Sequence, residues 1–292
     1  MGTTIQVEVW AEQAQLGNTA IEAVMAEMHR INQLMSPYID SSELSLLNRQ
    51  AALAPTQISQ ELYDLLHTAV EISKETDGAF DITFASVGFL YDYRLKQKPA
   101  ETQIQALLEA INYRHVQFDG SRHAIRFLND KVKIDLGGIA KGHAVDNALH
   151  ILKQLGIRHA LVSAGGDTGL LGDRRGRPWR VGIRDPRHRD KQAVVLPLEN
   201  TALSTSGDYE RYFEQDGQRY HHILSPKSGH SAHEVQSVSI LGRQSTLTDA
   251  LSTAVFVLGL QKGMDLINRT PGYEAIIMDN QRRLHYSAGL QL

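Results

Sequence analysis

Five stretches of this 292-residue sequence combine residue types and spacings that could carry chemistry. In VKIDLGGIAKG, Asp135 precedes Gly137 and Gly138, whose missing side chains let the backbone approach a ligand closely. A helical pattern follows, so free N–H groups and a positive dipole end would face one point, a setting suited to phosphate. Lys141 adds a positive charge one turn in. The spacing is not that of a P-loop, and a strand-to-helix turn needs small residues for steric reasons alone, so both readings stay open. Asp249 and Thr253 lie four apart in TDALSTAVFVLG and share one face of a helix. A carboxylate and a hydroxyl among apolar residues suit a hard cation such as Mg²⁺, which takes few protein ligands. Capping of a helix N-terminus by Asp249 is the simpler alternative, and spacing alone favours it.

His221 and His222, in RYHHILSPKSGH, are neighbours in a predicted strand, so they point to opposite faces and do different jobs. His230 and His233 could extend them to a zinc set, but strand–turn spacings of this kind are common by chance. STSGDYERYF is a hydroxyl-rich turn containing Gly207 that either holds a phosphate or reverses the chain. DGAFDITFASVGFL reads as a turn at Asp77-Gly78 followed by a half-buried strand, with Phe80, Ile82 and Phe84 alternating with Asp81 and Thr83. In such a strand Asp81 and Thr83 must face water, a partner or a ligand.

The elements that position these residues follow from periodicity. TTIQVEVW predicts a strand, and residues 17 to about 35 a helix ended by Pro37. A short helix follows with Ser41 or Ser42 as N-cap, then helices over about Ser59–Thr76 and residues 101 to 112. HVQFDG and AIRFLND predict two strands about Asp119-Gly120, and VKIDLGG a strand ending in glycines. A helix then runs to Gly156, and HALVSAGGDTGLLG is a buried strand breaking into a glycine-rich turn. WRVGIRDP, AVVLPLENTALSTSG, VQSVSILG, YEAIIMD and RRLHYS supply further strands, with TDALSTAVFVLG an apolar helix between them. There is no internal repeat or linker. One α+β domain over residues 1–292 is the simplest account.

Composition limits the function classes. Hydrophobic residues make up 42% and the formal net charge is −3, so the chain reads as a soluble globular protein without a nucleic-acid footprint. Basic residues cluster in DRRGRPWR and RDPRHRD, but acids are interleaved, as in a solvated loop. The absence of cysteine excludes disulfides, thiolate metal sites and a cysteine nucleophile. No apolar run approaches a membrane span of about 18 residues.

Taken in order, MGT at residues 1–3, MSPYIDSSELSLLN, DGAFDIT, IDLGGIAKGHAVD, SAGGD, WRVGIRDP, STSGDYERYF, HHILSPKSG and TDALSTAVFVLG resemble the FAD:protein FMN transferases, the ApbE family, over nearly the whole chain. The resemblance implies a single T-fold-like α+β domain with antiparallel or mixed sheets and packed helices. It implies an enzyme that binds FAD and Mg²⁺ and attaches FMN through a phosphoester to a threonine or serine of a target protein, releasing AMP. By residue-to-residue match, Asp249, Thr253 and the carbonyl of Gly138 are the implied Mg²⁺ ligands. Met1, Tyr38, Ala79, Phe80, Asp81, Asp135, Lys141, Leu224 and Ser252 fall at implied FAD-contacting positions, with Asp81 facing the cofactor and Thr83 supporting it. His222 matches a histidine on which activity depends, with proton transfer from the incoming hydroxyl as its role.

Three positions depart from the family pattern. Phe84-Ala85-Ser86 replaces a small residue and proline, Ser225 stands where an aspartate commonly precedes the proline, and His143 replaces a usual tyrosine. They bear on flavin packing and target docking, and they leave the implied metal ligands intact. Hydrolysis of FAD to FMN and AMP, or flavin carriage without turnover, are the alternative functions. Family acceptors are often subunits of membrane redox complexes facing the periplasm. The expected location is therefore the periplasmic side of the inner membrane if a leader was removed, and the cytoplasm if Met1 is the native start.

Overall fold

A computed structural model describes residues 2–290, so Met1, one of the implied FAD contacts, lies outside the described residues. Among the described residues there are seven α-helices: α1 (Ala14–Met35), α2 (Glu43–Gln50), α3 (Gln60–Glu75), α4 (Ala85–Gly88), α5 (Glu101–Leu108), α6 (Ala140–Gln154) and α7 (Ser245–Asn268). The buried stripe Ala20, Val24, Met28, Ile31 and Met35 fixes the inner face of α1. It stops at Ser36 because a residue before proline avoids the helical region. Ser42 caps α2 by accepting from Ser45 N–H at 3.0 Å. α5 ends at Leu108, short of the expected residue 112, because Asn112 starts a separate 3₁₀ turn over Tyr113–His115 by accepting from Arg114 N–H. α6 ends before Gly156, whose φ of 79° suits a residue without a Cβ.

A seven-stranded sheet runs in the order Ile5–Trp10, His159–Ala164, Asp167–Leu171, Ala202–Gly207, Val235–Gly242, Glu274–Asp279, Leu284–Tyr286, and every neighbouring pair is antiparallel. α6 and α7 pack against each other and against this sheet, and α1 packs beside α6. The hairpin Trp179–Arg184/Gln192–Leu198 brings Ile183, Val194 and Leu196 onto Leu203, Leu241 and Ile276 of the sheet. Covered by this hairpin and by α7, Val235–Gly242 is buried at every residue. Among the described residues, α7 alone is long and apolar enough by length and composition to cross a membrane; its apolar side lies against the sheet, where Val255 and Phe256 meet Val238, Ile240 and Ile277.

Two expected strands are absent. Residues 80–88 form a 3₁₀ turn (Ile82–Phe84) running into α4, because Asp81 Oδ1 accepts from Thr83 N–H at 2.9 Å and starts a helical turn. The segment before α6 joins no ladder. Lys133 N–H goes to Ser86 Oγ, Ile134 exchanges hydrogen bonds with the Asn48 side chain, and Asp135 N–H goes to the Ile82 carbonyl. Side chains and a turn satisfy the backbone that a sheet neighbour would otherwise satisfy.

Candidate active site

The residues singled out for chemistry converge where the N-terminus of α6 meets the first half of α7. The helices cross closely because Gly142 has no side chain: an added Cβ would stand 2.8 Å from Thr246 Cα. Asp249 is not the N-cap of its own helix, as the simpler reading had it, because α7 begins at Ser245, one turn earlier. Its carboxylate instead crosses to α6 and accepts from Gly142 N–H at 3.1 Å and from Lys141 Nζ at 3.0 and 3.1 Å. It thereby satisfies one of the free N–H groups of the neighbouring helix.

Lys141 is held on several sides. Its ammonium donates to the Gly137 carbonyl at 2.7 Å and lies 3.1 Å from Asp167 Oδ2. That last contact is an ion pair outside hydrogen-bond alignment, and Asp167 Oδ2 is a buried oxygen without a hydrogen-bond partner. Asp167 is 2% exposed and Asp249 3%. Burial opposes the charge on Lys141, but the two carboxylates outweigh it and raise its pKa. Burial and then the Asp167 charge push the Asp249 carboxyl upward, against the pull of Lys141. The turn before α6 is accordingly no open cradle of N–H groups, since Gly137 N–H already goes to Asp135 Oδ1 at 2.6 Å. Burial raises the pKa of Asp135 too, with Gly137 N–H, Arg211 and Lys141 opposing.

Thr253 lies one turn beyond Asp249, and its hydroxyl meets Ser206 Oγ at 3.3 Å. A Cβ built on Gly138 would stand 3.1 Å from Thr253 Oγ1 and 3.3 Å from the Phe80 ring. A side chain at Gly138 would make that hydroxyl and ring give way by a few tenths of an ångström, and glycine lets the backbone lie close to both. Ser252, buried beside Thr253, shares a hydrogen bond with Ser206 Oγ at 2.8 Å and donates to the Asp249 carbonyl. STSG, read both as the end of a strand and as the start of a hydroxyl-rich turn, is the end of the strand Ala202–Gly207, and its Ser204 and Ser206 hydroxyls fasten that strand to α7. A carboxylate, a hydroxyl and a bare glycine backbone form a donor set of hard oxygens that fits Mg²⁺. Among the described residues no group of three or more His, Cys, Asp or Glu side chains is placed to hold a metal.

The two histidines have different partners, but not through strand alternation: the strand Gln218–His221 ends at His221, and His222 lies in the bend beyond it. His221 is 1% exposed, receives Ile223 N–H at Nδ1 and gives Nε2–H to the Ala232 carbonyl at 2.7 Å. With both ring nitrogens used, it cannot join a zinc set. His222 turns to the other side, where its Nδ1 faces the Arg211 carbonyl at 3.4 Å. Burial, then the His221 and Arg211 neighbours, push its pKa down to about 3, and Lys141 adds to the effect. The imidazole is neutral, and if Nδ1 carries the hydrogen toward the carbonyl, Nε2 keeps its lone pair. Arg211 also stands beside the N-terminal segment, 3.8 Å from where a Gly2 Cβ would be.

The expected flavin contacts separate into two kinds. Tyr38 is 76% exposed, and the charges of Asp135, Arg211 and Arg94 act on its phenol, so it stands at the rim of the same site. Ala79, Phe80 and Leu224 are buried; Phe80 forms a floor beneath Gly138, and Leu224 packs with Val87, Tyr91 and Ile104. The expectation that the Asp81 side chain faces the cofactor is overturned. Its carboxylate is internal, with Oδ1 taken by Thr83 N–H and O–H and Oδ2 by Tyr113 N–H at 2.8 Å. Asp167 was missed as an individual residue; its signal was the acid closing SAGGD between two strands.

Comparison with known proteins identifies the family. Residues 1–277 match the ApbE family. A FAD:protein FMN transferase of Treponema pallidum is 34% identical over 99% of this chain and 85% of its own length. That of Haemophilus influenzae is 31% identical over 96% and 85%. The crystal structure of the ApbE protein of Thermotoga maritima superposes with a TM-score of 0.91 at 34% identity, covering 99% of this chain and 94% of that one. The flavin transferase ApbE from Vibrio cholerae superposes with a TM-score of 0.86 at 26% identity, covering the same shares. With the matched family spanning nearly its whole length, the chain belongs to the ApbE family.

Proposed function

We propose that this protein transfers FMN from FAD to a threonine or serine hydroxyl of an acceptor protein, forming a phosphoester and releasing AMP. The observation that carries the reading is the convergence of Lys141, Asp249, Thr253 and Gly138 at one helix crossing, in a chain of this family. In the reaction the acceptor oxygen forms a bond to the FMN phosphorus. The bond from that phosphorus to the bridging oxygen breaks, and AMP leaves with that oxygen. No nucleophile from the enzyme is needed, which suits a chain without cysteine.

Asp249, Thr253 and the Gly138 backbone would hold Mg²⁺, which when bound neutralises charge on the pyrophosphate. Lys141 supplies a second positive charge at the same place. Tyr38 offers an exposed ring on which the flavin can stack. His222 Nε2 takes the hydroxyl proton as the new bond forms. A pKa pushed to about 3 keeps this imidazole unprotonated, and the negative pyrophosphate arriving beside it raises its basicity.

Incubating the purified protein with FAD, Mg²⁺ and a candidate acceptor, and weighing the acceptor by mass spectrometry, tests the proposal. An acceptor heavier by one FMN less water, with one AMP released per transfer and none when its hydroxyl residue is replaced by alanine, is the expected result. FMN and AMP with an unmodified acceptor would make the protein a pyrophosphatase. Bound FAD without turnover would make it a carrier.

A further inference from the structure

We propose that Lys141 is a tethered counter-cation for the Asp167–Asp249 pair, positioned by Asp167, and that a divalent ion and the Lys141 ammonium compete for the same carboxylates until FAD draws the ammonium away. The proposal rests on Asp249 being a metal ligand, as argued above.

Three features of the geometry support it. First, the ammonium is the cation of an oxygen nest: the Gly137 carbonyl at 2.7 Å, both Asp249 oxygens at 3.0 and 3.1 Å, and Asp167 Oδ2 at 3.1 Å. These are the hard oxygens that a divalent cation would also seek. Second, both carboxylates are almost fully buried, and a buried carboxylate requires a paired charge. Asp167 Oδ2 has no hydrogen-bond donor, so the ammonium is the positive group that answers it. Third, the tether has a matching length, because Lys141 begins in the first turn of α6, on the turn whose Gly137 carbonyl it also contacts. Asp167 enters from the sheet, as the first residue of the strand Asp167–Leu171, where it pairs with Ser204, whose hydroxyl meets Thr248 of α7. It holds the ammonium over Asp249 without itself belonging to either helix.

The consequence is coupling between two ligands. In the FAD-free protein a divalent ion meets a carboxylate already engaged by an ammonium, and two cations on one carboxylate repel. A pyrophosphate brings negative charge that the ammonium can follow, which frees Asp249. FAD and metal then bind with positive cooperativity, and by linkage each strengthens the other. Asp167 sets the strength of the tether, and so is a positioning residue.

The test reads divalent binding to FAD-free protein, by titration calorimetry with Mg²⁺ and by the electron paramagnetic resonance of Mn²⁺. It uses wild type, Lys141→Met, Asp167→Asn, the double variant and Asp249→Ala. Lys141→Gln is carried in parallel, and thermal melts confirm that each variant is folded. Lys141→Met and Lys141→Gln should bind the ion about tenfold or more tightly than wild type, because the competitor is gone. In the Lys141→Met background Asp167→Asn should weaken binding, since it then removes only attraction. In the Lys141-containing protein its effect should be smaller, because it also loosens the ammonium. Asp249→Ala should lose binding in every background. If Asp249→Ala loses binding while both Lys141 variants bind no more tightly than wild type, the counter-cation proposal is overturned and the metal reading survives. If Asp249→Ala binds as wild type does, the metal reading fails and takes this proposal with it.

Discussion

Replacing Gly142 by alanine probes the crossing of α6 and α7 on which the whole site depends. The new Cβ would stand 2.5 Å from the Ser245 carbonyl carbon and 2.8 Å from Thr246 Cα, and it would come closer still to the Ser245 oxygen. Ordinary contact begins at 3.4 Å, so the backbone of α7 must retreat by about 0.9 Å at the carbonyl carbon. Backbone, unlike a side-chain end, cannot rotate away. Two effects oppose one another. Alanine favours the helix over glycine by about 1 kcal/mol, whereas overpacking against a fixed neighbour costs about 1–3 kcal/mol. A net destabilisation of up to about 2 kcal/mol is expected, readable as a melting temperature lower by up to a few degrees. Transfer should suffer more than stability. The same displacement lengthens the Gly142 N–H to Asp249 bond and separates Asp249 from Lys141. A misplacement of about 1 Å in a positioned site can lower the rate by about 10²-fold. Both quantities are measurable on one preparation, by thermal melt and by FMN transfer in saturating FAD and Mg²⁺. A variant with wild-type melting and wild-type transfer would refute the claim that this crossing positions the site.

The two histidines should separate cleanly. His222→Ala is expected to bind FAD yet transfer FMN about 10²–10⁴-fold more slowly. His221→Ala should lower stability through its lost bond to the Ala232 carbonyl and its packing on Phe256, while the folded fraction keeps its turnover; equal rate losses would contradict this division. His221 also predicts a pH dependence of stability, because burial holds its pKa down to about 4 while the unfolded chain takes up that proton near 6.5. The contribution is present above pH 6.5 and lost as pH falls toward about 4, amounting to at most about 3 kcal/mol. Denaturant titrations of wild type and His221→Phe should converge as the pH is lowered through that window; parallel curves would reject the assignment. Asp81→Ala leaves Thr83 N–H, Thr83 O–H and Tyr113 N–H without their acceptor and should destabilise by roughly 3 kcal/mol. FAD affinity of the folded protein should not change, and a selective loss of FAD binding would return Asp81 to the cofactor site.

Much of this architecture was legible because long periodic segments leave little choice. The stripes of α1 and α3 and the glycine ending α6 reflect local rules that tertiary contacts did not override. The failures have a common cause. In DGAFDITF an apolar–polar alternation was read as a strand, but the carboxylate of Asp81 could close a local turn onto Thr83, and that bond outranked the pattern. In VKIDLGG no strand forms, because a ladder requires a neighbour, and Asn48 and Ser86 supplied the hydrogen bonds from distant parts of the chain. Asp249 was ambiguous between cap and ligand because sequence spacing cannot say where a helix begins. Its role emerges only from the crossing with α6. Asp167 carried no periodic signal, and its proximity to Lys141 depends on how the sheet is threaded past two helices.

The central claim is that FAD and a hard divalent ion meet where α6 crosses α7. Diffraction from crystals of the protein grown with FAD and Mn²⁺, with data collected to record the anomalous scattering of manganese, tests it most directly. The account predicts one manganese position in contact with the Asp249 carboxylate, the Thr253 hydroxyl and the Gly138 carbonyl, with the FAD pyrophosphate on its open side and the flavin against Tyr38. Manganese bound elsewhere, or FAD lying away from this crossing, would contradict it.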